Sequence, residues 1–159
     1  MFFGIAIVVF AVICWAFQRN VVLSQATGHS NKFGTIINCI DGRVQAPAAE
    51  WLKNTYHLAY VDTITEPGPD KAMVEGPRGR IEEIEQAVRI SVNAHLSPIV
   101  AIAGHDECAA NPVDKATHLK QIKEAVKAIE SWNLPVKVVG LWVGHEHNQW
   151  KVEPVEKND

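Results

Sequence analysis

The sequence predicts an α/β fold: a mostly parallel four-stranded sheet with helices on both faces, and an antiparallel edge strand at the C-terminus. Three observations carry this. Short runs such as Gly34-Thr-Ile-Ile-Asn-Cys39 and Pro98-Ile-Val-Ala-Ile-Ala-Gly104 are apolar on both faces, as strands buried inside a parallel sheet are. Between such runs lie segments whose apolar residues return every three or four positions, the stripe of an amphipathic helix. The two kinds of segment alternate along the chain, which implies right-handed crossovers and a sheet covered on both sides.

Taken in order, Gly34–Cys39 is too short for a helix and is the first strand. Residues 46–55 form a modest helix, with Pro47 tolerated in its first turn, and Leu58–Ile64 is the second strand. The stretch 66–79, Glu-Pro-Gly-Pro-Asp-Lys-Ala-Met-Val-Glu-Gly-Pro-Arg-Gly, satisfies no regular period and reads as a long loop, a lid or an interface. Ile81, Ile84, Val88 and Val92 stripe a helix that ends near Leu96. Pro98–Gly104 is the third strand. Asn111-Pro-Val-Asp114 opens a longer helix with Leu119, Ile122, Val126 and Ile129 inward. Pro135–Val143 is the fourth strand, 144–149 a turn, and 150–155 an antiparallel edge strand that tolerates Pro154.

A chain of 159 residues is long enough for one domain with a real core. The predicted division is a hydrophobic segment over 1–20, a linker over 21–33 and a folded domain over 34–159. The formal charge of −3 excludes a nucleic-acid partner, because Lys and Arg lie scattered among acids and form no basic stripe. Cys14, Cys39 and Cys108 are an odd set and no disulfide framework. Free thiols suit a reducing compartment.

Residues 1–17 carry no charge. As a helix they would reach roughly 25 Å, just short of a hydrocarbon core of about 30 Å. A short membrane anchor fits, with Arg19 following the apolar run. A signal peptide lacks its positive start here, and an arm packed on this or a second copy, or a start codon chosen too far upstream, are the remaining readings. Localisation is therefore membrane-anchored or cytoplasmic.

The chemistry concentrates at two turns. Cys39-Ile-Asp-Gly-Arg43 ends the first strand and Gly104-His-Asp-Glu-Cys108 the third. The carboxyl ends of parallel strands are where ligands gather in such sheets. Two thiolates and an imidazole, from Cys39, Cys108 and His105, suit zinc (Zn2+) and leave a fourth tetrahedral position open, as catalytic sites do. Asp41 is placed to orient a nucleophile beside the metal, and Arg43 to hold Asp41 ionised through a forked pair.

These two motifs resemble the Cys-x-Asp-x-Arg and His-x-x-Cys pair of the β-class carbonic anhydrases, and the resemblance extends over about residues 34–143. It implies zinc-dependent, reversible hydration of carbon dioxide to bicarbonate by zinc-bound hydroxide, with Cys39, His105 and Cys108 on the metal and Asp41 and Arg43 as the catalytic dyad. It also implies a homodimer or higher homo-oligomer. The alternatives are a hydrolase of carbonyl sulfide or carbon disulfide on the same zinc site, and a non-catalytic zinc-binding module. His145 and His147 are candidate proton shuttles. Asp106 and Glu107 read as exposed acids, His57, His95 and His118 as residues without a site role, and Trp51, Trp132, Trp142 and Trp150 as core or interface anchors.

Overall fold

The computed structural model describes residues 32–157. The segment expected as anchor, signal or arm, and nearly all of the linker before Phe33, lie outside the described residues. Among the described residues no helix is long and apolar enough to cross a membrane.

Five strands make one sheet: β1 (Phe33–Asn38), β2 (Tyr60–Thr65), β3 (Ile99–His105), β4 (Lys137–Glu146) and β5 (Gln149–Val155). Their spatial order is β2-β1-β3-β4-β5, parallel except for the antiparallel β4–β5 pair. Four helices connect them: α1 (Gly42–Tyr56), α2 (Pro69–Glu75), α3 (Arg78–Ala94) and α4 (Lys115–Glu130).

The sheet runs outward from β1 in both directions. The chain goes first to β2 on one side, then back across β1 to β3 and β4. A right-handed crossover in each direction puts α1 on one face and the later helices on the other. Strand alternation records this division. Ile36, Ile99, Ala101 and Ala103 pack with Val44, Ala48 and Leu52 of α1. Ile37, Val100 and Ile102 pack with Met73, Ile84, Val88, Val126 and Ile129 of the other three helices. β1 and β3 are neighbours across the point where the order reverses, so the crevice of this fold lies at their carboxyl ends.

The structure corrects several sequence expectations. α1 begins at Gly42, not at 46, because Asp41 caps it by accepting the Arg43 backbone N–H at 3.0 Å. Pro47 consequently sits inside the helix, beyond its first turn. The expected loop 66–79 contains α2 and the start of α3. Gly68 (φ 57°) turns the chain and Pro69 starts α2, with Asp70 in its first turn. The turn 144–149 shrinks to His147-Asn148, both with positive φ, which is a two-residue hairpin turn matched to strand twist. α4 turns slightly from the expected stripe, burying His118 and Gln121 along with Ile122, Val126 and Ile129, while Leu119 is half-buried.

Candidate metal centre

Cys39 follows β1 directly, His105 is the last residue of β3, and Cys108 closes the turn after it. The crossover geometry alone brings the two strand ends together. Cys39, His105 and Cys108 are all buried, and their ligand atoms lie within 4.8 Å of one another. The two sulfurs are 3.9 Å apart. Two sulfurs on a tetrahedral zinc, each at about 2.3 Å, stand about 3.8 Å apart, so the pair is spaced for one ion.

The imidazole has been set to match. His105 Nδ1 lies 2.7 Å from the Asp106 carbonyl, a partner that only accepts, so Nδ1 carries the proton and Nε2 keeps its lone pair. His105 Nε2 is fully buried and has no hydrogen-bond partner. An orphaned acceptor next to two thiols is what a cation would satisfy. Hydrogen bonding between the sulfurs pulls the Cys39 thiol down to about 4 against the opposing effect of burial, while the same contact pushes Cys108 up. Burial draws the His105 pKa down, but the Cys39 thiolate beside it raises it by more.

Asp41 stands at the rim, outside this group of three. Arg43 donates to it from Nε at 3.0 and 3.1 Å and from one terminal nitrogen at 2.7 Å. Arg43 therefore holds the Asp41 carboxyl down to about 2. The other terminal nitrogen of Arg43 donates to Glu107 Oε2 at 2.7 Å. One guanidinium thus ties the Cys39 turn to the His105–Cys108 turn, where Glu107 takes a positive φ of 55°.

Two residues at this rim escaped the sequence reading. Glu107 is a second partner of Arg43 and lies 3.4 Å from His145 Nδ1. Trp150, on β5, spreads beneath the rim: the Arg43 guanidinium sits 4.9 Å from its ring centre, His145 stacks on it at 4.7 Å, and His105 meets it edge-on at 6.4 Å. The pairing of His145 with Trp150 across β4 and β5 puts these side chains on one face, a register that becomes readable once the two-residue turn is known. His147 lies exposed on the turn itself.

A family model described as "Putative carbonic anhydrase" matches residues 29–156. The chain belongs to that carbonic anhydrase family. No curated protein matches it. Among solved structures it is similar to β-carbonic anhydrase isoform I of the protozoan Trichomonas vaginalis, at 13% identity and TM-score 0.56 over 95% of this chain and 97% of that one. It is also similar to the carbonic anhydrase from Glaciozyma antarctica, at 15% identity and TM-score 0.49 over 91% and 93% of the two chains. The β-carbonic anhydrase of the fungal pathogen Aspergillus fumigatus aligns at 13% identity and TM-score 0.45 over 94% and 88%. At such identities the first likeness speaks for the fold, and the buried Cys-His-Cys group speaks for the metal.

Proposed function

We propose that this chain is a zinc-dependent carbonic anhydrase that converts carbon dioxide and water reversibly into bicarbonate and a proton. The observation that carries the reading is the convergence of two sulfurs and an unpartnered imidazole nitrogen at the crevice of the sheet, in a chain of this family. Zinc, when bound, supplies a Lewis acid that makes water nucleophilic near neutral pH.

The chain's own groups do the rest. Cys39 and Cys108 would hold the ion as thiolates beside His105, and because their charge would offset the ion's, it would acidify water less than an ion held by three neutral imidazoles. More of the work then falls to the surroundings. Asp41, ionised at any working pH, accepts a hydrogen bond from the attacking water and turns its lone pair toward carbon. Arg43 keeps that carboxylate aimed. The apolar packing behind Cys39 and Cys108, from Ala101, Ala103, Leu141 and Val143, keeps bulk water from the ligands. His145, half-buried on Trp150 and next to Glu107, takes the released proton outward to buffer. The same reading carries a homodimer or higher homo-oligomer, checked by sedimentation.

Stopped-flow hydration of carbon dioxide by the zinc-loaded protein tests the proposal. Turnover is expected in the wild type and is expected to vanish in Asp41→Asn with zinc still bound. Absence of wild-type turnover sinks it, and sulfide release from carbonyl sulfide or carbon disulfide would then reassign the substrate.

A further inference from the structure

The proposed reaction makes no use of a second, fully buried polar cluster on the opposite face of β3. Its hub is Asp70, in the first turn of α2 and 0% exposed. Asp70 Oδ2 lies 2.5 Å from His118 Nδ1 and accepts from Asn111 Nδ2 at 3.1 Å. Asn111 Nδ2 also donates to Gln121 Oε1 at 2.8 Å. Asp70 Oδ1 and Asn111 Oδ1 are buried without a partner. Stability alone does not account for such a group. A buried carboxylate is expensive to desolvate, and apolar side chains of similar size, such as those that fill the adjoining core, avoid that penalty.

What distinguishes Asp70 is where it reaches. A Cβ on Gly104 would stand 2.8 Å from Asp70 Oδ2, so the carboxylate is pressed against the strand one residue before His105. Through Asn111 it reaches the other ligand turn, since the Asn111 backbone N–H donates to the Cys108 carbonyl at 3.2 Å. Gly68, two residues before Asp70, is wedged against Ala110 and Asn111, where a Cβ would meet their atoms at 3.2 and 3.3 Å. Four residues before Asp70, the Glu66 backbone N–H donates to the Asn38 carbonyl at 2.9 Å, next to Cys39. The Asp70 segment therefore adjoins each of the stretches that present Cys39, His105 and Cys108, while the carboxylate itself presses on the His105 strand and is joined through the Asn111 side chain to the Cys108 turn.

We propose that Asp70, bridged by Asn111 and His118, is a positioning residue of the metal centre: it fixes the three ligand-bearing segments in chelating geometry before an ion arrives. The inference rests on the metal reading of the Cys39–His105–Cys108 site and not on the reaction assigned to it. Outer partners that orient ligands are commonly worth 10- to 100-fold in metal affinity.

The test is zinc affinity of the full chain by chelator competition, with the cobalt(II)-substituted absorption spectrum as a readout of sulfur–metal geometry. Asp70→Asn, measured where the metal-free variant is folded, is expected to weaken zinc by about 10- to 100-fold and to shift the sulfur-to-cobalt charge-transfer band. Should Asp70→Asn fail to fold, Asn111→Ala, which spares the Asp70–His118 pair but removes the side-chain bonds that join Asp70 and Gln121 to the Cys108 turn, is expected to show the same two changes. If the variant that folds binds zinc as the wild type does, with an unmoved cobalt spectrum, the proposal is overturned. A wild type that binds zinc without hydrating carbon dioxide sinks the assigned reaction and leaves this inference standing. A wild type that binds no zinc overturns both.

Discussion

Asp41 and Asp70 lie on either side of the strand that delivers His105, and the molecule satisfies them in contrary ways. Asp41 is partly open to water and gripped by a guanidinium through both oxygens. Asp70 is sealed, with both of its hydrogen bonds on a single oxygen. Removing a partner of Asp41 lets water take the vacated bonds, whereas removing a partner of Asp70 strands a polar group where water does not reach. The difference teaches a division of labour. The solvated carboxylate suits exchange of protons and small molecules, and the buried one suits fixing positions.

The most severe way to break the comparison removes what the two carboxylates have in common. Cys39→Ser or Cys108→Ser replaces a soft thiolate by a hydroxyl that stays protonated. Zinc content is expected to fall to background with hydration activity, as measured by metal analysis alongside stopped-flow rates. If either variant keeps stoichiometric zinc, the site is misplaced.

Gly104→Ala attacks the buried side alone. Its methyl would collide with the Asp70 carboxylate and with Ile122 Cδ1, at 2.8 and 2.9 Å. Zinc affinity is expected to drop by on the order of tenfold or more, with Asp41 chemistry intact at saturating metal. A variant that binds zinc normally would show that the carboxylate can retreat without consequence for the ligands.

Arg43→Gln attacks the exposed side. The Asp41 carboxyl, held at about 2 by Arg43, is expected to rise toward the ordinary aspartate value near 3.9, read by carboxyl-carbon NMR titration. The sign follows from linkage. A depressed carboxyl stabilises the fold above its unfolded pKa, and that contribution is lost as pH falls through about 2. Asp41 is thus ionised throughout the neutral range, so the acid limb of the wild-type rate profile belongs to another group. A wild-type activity curve that tracks the Asp41 resonance would contradict this.

Glu107→Gln gives the smallest effect. Its pair with Arg43 is exposed and screened, so a change of about two- to fivefold in rate, shrinking with added salt, is expected.

The sequence made the sheet and the three metal-type residues legible for the same reason. Strands such as Ile99–His105 are apolar on both faces, and a ligand residue that ends such a run can only lie at the sheet's carboxyl edge. What stayed hidden depended on contacts made across the chain. His118 and Gln121 occupy helical positions next to an apolar stripe, and nothing local says that Asp70, 48 residues away from His118, will meet them. Glu107 looks like any acid on a turn until Arg43 is folded over it. Trp150 requires the register of β4 against β5. The missed helix α2 did leave a trace: Gly68-Pro69-Asp70 is a helix start, with proline in the first turn and an acid near the positive end of the dipole, overlooked amid the surrounding Pro and Gly.

Cys39 and Cys108 stand 69 positions apart in the chain. An ion gripping both acts on the unfolded polymer as a covalent staple would, forbidding the conformations in which that long segment wanders. On the chain-entropy account a loop of this size is worth about 4 kcal/mol. With the proposed zinc bound, stripping it with a chelator should therefore lower the melting temperature well beyond what a surface ligand would, and the persistence of the folded molecule would be tied to the supply of that ion.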